Sequence, residues 1–303
     1  MYQCKMIADS IGPSGKRLST LEITFPRIVL AEIRTHRMHS EGSEGVWVYG
    51  GVDGPGRSFS MNAASSRAIP VKKMLERVRE HPFVPTYWGA NQKGMQAEFA
   101  IEEHHRLAAE SVWREALENA LKSAEALEEL GIHKQTVNRL IEPFSWVTCI
   151  VSATEWDNFL ALRTHKDAQH EIRTIAEMML FALKSYEPQK LDEGQWHLPY
   201  ITEQDWKDVT DLEGLPKERF LAEISAARSA RVSYMTQDGI RDLSKDQMLF
   251  RRLVDGSDGV GHFSPLEHPA QALAETTPSG NFVGWGQLRK EYDVKPKAAH
   301  FGI

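Results

Sequence analysis

Five arginines stand beside short polar residues in this chain: Arg34, Arg37, Arg67, Arg139 and Arg163. A guanidinium offers phosphate or carbonyl oxygens two parallel hydrogen bonds, and Ser65-Ser66-Arg67 adds hydroxyls and backbone N–H groups to such a fork. That triplet reads as a cradle for a nucleotide phosphate, although the same arginines could form scattered surface ion pairs. Other chemistries are poorly served. The chain has no phosphate loop GxxxxGK[ST], no GxGxxG, no GxSxG elbow and no HExxH. His36 and His39, and the adjacent His104-His105, supply imidazoles without a Cys, Asp or Glu at convincing spacing, so no metal site is expected. Cys149 lies in the apolar run Val147 to Val151 and reads as a buried hydrophobe. With Cys4 it makes only two cysteines, too few for a disulfide framework.

Composition narrows the partners. Lysine and arginine number 36 against 42 acids, a formal charge of −6. Coating a nucleic acid polymer draws on a basic footprint and is not expected, whereas a small anion needs only a few local arginines. At 41% hydrophobic and 26% charged residues the chain is an ordinary globular one. No apolar run approaches the ~18–20 residues of a spanning helix, and the first residues lack the basic-then-apolar order of a signal peptide. No membrane association and a cytoplasmic location are therefore expected. The 303 residues are read as a single domain, 1–303, able to bury a core without staples.

The elements that must position those arginines are marked by periodicity and punctuation. Leu21 to Phe25 alternates as a half-buried strand, and Pro26 suits the first turn of a helix through Ile28, Val29, Ala31 and Ile33 that delivers Arg34, Thr35, His36 and Arg37. Residues 41–57 carry six glycines and a proline and read as a long loop inserted ahead of Ser60 to Arg67. Trp113 to Leu127 recurs at helical spacing up to Gly131, and a shorter helix through Val137 and Leu140 stops before Pro143. A second long helix is predicted from Thr154, with Asp157 completing a capping box, to Ser185. Its apolar face holds Leu162, Ala168, Ile172, Ile175, Ala176, Met179, Leu180 and Leu183, and its polar face Arg163, Asp167, His170 and Thr174. Ile224 to Tyr234 reads as helical or extended, His262 to His268 as a turn, and Phe282 to Tyr292 as a final strand.

Four groups of segments together resemble the flavin-dependent thymidylate synthases. Thr35-His36-Arg37 and Asn62-Ala63-Ala64-Ser65-Ser66-Arg67 match the two halves of that family's RHRxxSxNExSxR signature, with the glycine-rich stretch inserted between them. Arg139, four residues before Pro143, resembles the arginine of its ARxxLP segment. Asn158 to Arg163 followed by Ala168 to Arg173 is similar to its NFxxLRxxxxAQxEIR helix, the most specific match. Ala230-Arg231-Val232-Ser233-Tyr234 and Ser264-Pro265-Leu266-Glu267-His268 resemble its ARVS and SPFEH elements, which in the usual family come first. Here they come last, so the chain resembles a circular permutant.

The resemblance implies an α+β fold, an antiparallel sheet with long helices, and a homotetramer with active sites shared between subunits. It implies reductive methylation of dUMP to dTMP with methylenetetrahydrofolate as one-carbon donor and NADPH as reductant through FAD. Carried over by position, Ser65, Ser66 and Arg67 hold the phosphate, Arg139 reaches a neighbouring subunit's nucleotide, and Arg163 sits against the uracil. His36, Arg37, Asn158, Ser233 and His268 line FAD. Departures are Thr35 for the first arginine of the triplet, Ala63 for a glutamate, Asp167 for a common histidine, and Glu32 for a glutamine that approaches the pyrimidine. An ionised Glu32 only accepts hydrogen bonds, which would suit an exocyclic amine such as cytosine N4. Transfer to dCMP, or hydroxymethylation of a pyrimidine nucleotide for modified DNA, is therefore the alternative activity. Glu32 could instead pair with His36, one helical turn on, or with a nearby arginine. A non-catalytic nucleotide-binding homologue is the alternative of a different class.

Overall fold

A computed structural model describes residues 1–36, 57–94, 96–209, 216–234, 241–256 and 261–292, the side chains of Ser233 and Tyr234 excepted. Arg37 and nearly all of the glycine-rich insertion lie outside the described residues.

The organising layer is a five-stranded sheet built from β1 (Gln3–Ile11), β2 (Arg17–Pro26), β3 (Ser60–Ala63), β4 (Trp146–Ala153) and β5 (Gln189–Lys190), in the order β3-β4-β2-β1-β5. Three pairings are antiparallel, in line with the expected antiparallel sheet, and only the edge strand β5 adds to β1 in parallel. The short β5 follows a helix that crosses the sheet face, and such a crossover brings a strand back parallel. Alternation along the strands then gives the sheet two different faces. Leu21, Ile23 and Phe25 of β2 join Cys149 and Val151 of β4 in an apolar layer. Thr20, Ser152, Ser60 and Asn62 fall on the opposite, polar face, with Ser152 registered against both Thr20 and Ser60.

Beyond β2 the predicted entry is present as a 3-10 turn at Arg27–Val29 and α1 (Leu30–Arg34). After β3, α2 (Val71–Glu80), α3 (Glu103–Glu129) and α4 (Lys134–Val137) form their own cluster, in which Met74, Leu75 and Val78 meet Leu117, Leu121, Val137 and Ile141. Gly131, just past the end of α3, has φ +76, a conformation glycine takes without steric cost.

The long helix predicted from Thr154 to Ser185 is two helices, α5 (Asp157–Arg163) and α6 (His170–Ser185). Short polar side chains divide it by competing for backbone groups. Thr164 Oγ1 donates back to Leu160 O at 2.7 Å, and His165 Nδ1 accepts from Asp167 N at 3.3 Å. No capping box forms, because Thr154 Oγ1 instead accepts from Val283 N. The break leaves Leu162 exposed, while Ile172, Ile175, Ala176 and Met179 stay buried against the apolar face of the sheet.

The polar face is covered by the rest of the chain: β6 (Trp196–His197), α7 (Glu203–Asp208), α8 (Lys217–Tyr234), α9 (Leu243–Asp255), then β7 (Ala270–Ala272), β8 (Pro278–Ser279), β9 (Phe282–Val283), β10 (Trp285–Gln287) and α10 (Arg289–Tyr292). Helix α8 packs against β3 and β4, and against α9 through Ala226, Ala230, Phe250 and Leu253. The predicted final strand, Phe282 to Tyr292, is two short strands divided at Gly284, which has φ +75, and its end is the helix α10. No helix among the described residues is long and apolar enough to cross a membrane.

Candidate functional site

Strand β3 ends where Ala64 N donates to Thr148 O at 2.8 Å, and the chain leaves the sheet as Ser65 followed by a 3-10 turn at Ser66–Ala68. Side chains from elsewhere fix this turn. Asn138 Nδ2 donates to Ser66 O at 2.7 Å and to Ile69 O at 2.9 Å, and Lys134 Nζ donates to Ala68 O at 3.0 Å. Glu142 is the hub: it accepts from the Ser66 hydroxyl and from Arg139 Nη1 at 3.0 and 3.1 Å, and lies 3.7 Å from Arg27 Nη1. The Ser66 hydroxyl is thereby committed to the protein. Ser65 and the exposed Arg67 and Arg139 remain turned to the space in front of the turn.

That space is a cleft of about 1070 Å³. Among the described residues, Arg27, Arg34, Arg57, Arg67, Arg139, Arg289 and Lys290 line it against one carboxylate, Glu267, which pairs with Arg289. Concentrating positive charge in a concave wall attracts a small anion even though the whole chain is acidic. The floor is neutral and amide-rich. Gln287 Nε2 donates to Ser60 Oγ and Asn281 Oδ1, both at 3.0 Å, and Asn62 and Ser264 complete it. Ser65, Ser66, Arg67 and Arg139 therefore meet in one place, with Arg139 beside the turn of its own protomer where a neighbouring subunit's nucleotide was expected.

His36 and Arg163 form a separate group. The His36 ring lies 6.2 Å from Phe59, a cleft residue, and edge-on to Phe159 at 5.2 Å. Burial, and then the charge of Arg163, push the imidazole below its ordinary pKa. His36 Nε2 and Arg163 Nε are both buried without a hydrogen-bond partner among the described residues. Two buried nitrogens in that state are groups that a bound molecule would satisfy. Asn158 stands half-buried on α5, one turn before Arg163.

Two expected site residues are placed differently. His268 is fully buried, with Nδ1 2.8 Å from Ser152 Oγ and Nε2 2.9 Å from Asn62 Oδ1, so both nitrogens face protein and not a cofactor. The reason is its position, directly after the Ser264–Glu267 turn that packs onto β3. Glu32 is exposed, does not line the cleft, and makes no hydrogen bond or ion pair with His36 or an arginine among the described residues. Ser233 sits in α8, and its side chain is outside the described set, as is Arg37.

Sequence reasoning missed Glu142, Asn138, Asn281 and Gln287. Glu142 carried a usable signal, standing three residues after Arg139 and just before Pro143, whereas an amide 140 residues away carries none. His104-His105 do have an acidic neighbour, since ligand atoms of Glu102, His104 and His105 lie within 4.8 Å of one another, all exposed. Helix initiation at Glu103 folds residue 102 back beside them. Cys149 behaves as expected of a buried hydrophobe: burial pushes its thiol up to about 12, so no thiolate forms at neutral pH.

The family model for thymidylate synthase complementing protein, Thy1, matches residues 18–189, more than half of the chain. No curated protein matches. Among solved structures, the UMP/dUMP methylase PolB from Streptomyces cacaoi bound with 5-Br UMP aligns at 16% identity and TM-score 0.46, covering 61% of this chain and 89% of that one. The same protein bound with 5-Br dUMP aligns at 15% identity and TM-score 0.45, covering 61% and 90%. The matched span runs from β2 through the Ser65–Arg67 turn, Arg139 and the α5–α6 pair, so the chain belongs to the thymidylate synthase complementing protein family, the flavin-dependent thymidylate synthases.

Proposed function

We propose that this protein is an enzyme that methylates a pyrimidine nucleotide, and specifically that it converts dUMP to dTMP in the cytoplasm. Methylenetetrahydrofolate would give the one-carbon unit, and NADPH the reducing hydride. The observation that carries this reading is the arginine-lined cleft whose Ser65–Arg67 turn is pinned by Glu142 and Asn138. A phosphate-sized anion meets there two guanidinium forks and a fixed backbone turn.

The buried His36 nitrogen that has no hydrogen-bond partner among the described residues fits a heteroatom-rich ring, and His36 and Asn158 are the described residues proposed to hold FAD. When bound, FAD would supply hydride transfer between NADPH and the one-carbon unit. Neither His36 nor Arg163 lines the cleft of its own protomer, in keeping with the proposed homotetramer whose subunits share sites. The packing of α8 and the Ser264–Glu267 turn onto β3 and β4 supports a permuted order of elements.

Uracil C5 must gain nucleophilic character, and the half-buried Arg163 is proposed to stabilise charge that develops on the ring. Loss of one such preorganised donor lowers turnover by about 10²–10³-fold. Arg163→Ala is expected to show that drop with flavin absorbance retained; near-normal turnover would remove Arg163 from the reaction.

Transfer to dCMP is the alternative that Glu32 raised, but Glu32 is exposed and does not line the cleft, so the geometry favours dUMP. Parallel assays with dUMP and dCMP, folate and NADPH, with the product identified by mass, test the assignment. Yellow protein and dTMP formation are expected. Turnover of dCMP alone would move the substrate to cytosine, and colourless protein without turnover would favour a non-catalytic nucleotide-binding homologue.

A further inference from the structure

A line of buried side chains crosses the polar face of the sheet and ends at the cleft floor. Asn62 Nδ2 donates to Ser264 Oγ at 3.0 Å, and Asn62 Oδ1 faces His268 Nε2 at 2.9 Å. An amide oxygen carries no proton, so His268 must donate from Nε2–H. Its Nδ1 is then an acceptor and takes the hydroxyl proton of Ser152, 2.8 Å away. The direction propagates. Ser152 Oγ accepts from Thr20 Oγ1 at 2.6 Å, Thr20 accepts from His197 Nε2 at 2.8 Å, and His197 Nδ1 accepts from Ser10 Oγ at 2.9 Å.

Burial holds both imidazoles at a pKa of about 3, so each ring has one N–H and one lone pair and passes the direction on unchanged. The consequence appears at the far end. Ser264 lines the cleft and already accepts from Asn62, so its own hydroxyl proton is left for whatever enters. Turning the Asn62 amide over would reverse every bond in the line, and Ser264 would then offer the cleft lone pairs instead.

We propose that His268 is a positioning residue whose Nε2–H tautomer orients Asn62, so that Ser264 meets the ligand as a hydrogen-bond donor and selects an acceptor oxygen of a pyrimidine nucleotide. The ligand half of this rests on the nucleotide reading above; the tautomer half does not. Solid-state 15N NMR of the histidine-labelled, ligand-free protein reads the rings directly, with the two resonances identified by their loss in His268→Gln and His197→Gln. Both rings are expected as neutral Nε2–H tautomers from pH 5.5 to 8. An Nδ1–H tautomer of His268, or titration in that range, overturns the proposal.

Calorimetry with dUMP tests the ligand half. Ser264→Ala is expected to weaken binding about three- to tenfold, the loss of one hydrogen bond. His268→Asn should match that loss, and His268→Gln, whose amide nitrogen can occupy the Nε2 position, should restore it. Because Ser264 is exposed in the cleft, its variant is informative even if a His268 variant fails to fold. Wild-type affinity in Ser264→Ala overturns the donor role. Absence of dUMP binding by the unmodified protein overturns the nucleotide reading and this ligand assignment together, and leaves the NMR result to decide the tautomer.

Discussion

Replacing Arg228 with alanine is expected to destabilise the protein by roughly 3–5 kcal/mol, the usual consequence of removing one partner from a buried ion network. Arg228 lies on α8, and only 9% of its side chain is exposed. Its Nη1 and Nη2 donate to Asp205 at 2.8 and 2.9 Å, and its Nε donates to Asp246 at 2.9 Å. Both carboxylates are inaccessible, with exposures of 0% and 1%. Arg231 reaches Asp246, and Arg241 is shared between Asp205 and Asp208, so removing Arg228 leaves both buried acids underpaired. A domain with a margin of about 5–15 kcal/mol loses roughly a fifth of it or more. Urea denaturation monitored by circular dichroism would measure the change, and a loss below about 1 kcal/mol would show that the two acids find other partners or protonate at little cost. The effect should extend to the site, because Ala230 on the same helix lines the cleft.

The second large effect is expected on acidification. Burial lowers the pKa of His197 and His268 to about 3, with the neighbouring His268 charge adding to the shift at His197. Unfolded, each would titrate near 6.5. Above that value neither state binds the proton, and the two histidines do not alter stability. Below it the unfolded chain takes up protons that the folded chain refuses, so stability falls towards pH 3. Each histidine contributes a slope of up to about 1.4 kcal/mol per pH unit, which amounts to roughly 3–4 kcal/mol for the pair between pH 6.5 and 5. Asp205 acts in a lower window. Although burial works against ionisation, its hydrogen bonds, led by those from Arg228, hold it well below the usual carboxylate range. Its contribution is therefore present above about pH 4 and lost only in stronger acid. Denaturation curves at pH 7 and pH 5 would show the histidine component, and His197→Gln should reduce the difference by about half. Equal stability at the two pH values would contradict neutral burial of both rings.

How far the residues alone disclosed these features depended on the range of the interactions involved. The strand at Leu21–Phe25, the turn at Pro26, the helix ending at Gly131 and the stop before Pro143 were legible because each rests on neighbours in sequence. The division of Thr154–Ser185 was not, because it turns on the bonds made by Thr164 and His165 and on Thr154 being drawn away to Val283. Strand β1 escaped notice because most of its residues are only half-buried, so its alternation is shallow. In the site, Ser65–Arg67 and Arg139 announced themselves by residue type, whereas the neutral floor did not. Gln287, Asn281 and Ser60 acquire meaning only when β10 and β3 come together.

The hydrogen bond from Ser60 to Asn281 spans 221 positions of the chain, and that from Asn62 to Ser264 spans 202. Contacts of such separation close large loops and form late in folding. The sheet with α5 and α6 is held largely by closer pairings, so its core can assemble before the last third of the chain arrives, but the cleft cannot. A ligand seated there would bridge early-forming and late-forming regions and stabilise only the complete molecule. Ligand-induced thermal stabilisation should accordingly disappear under mild denaturation, before the circular dichroism of the helices changes.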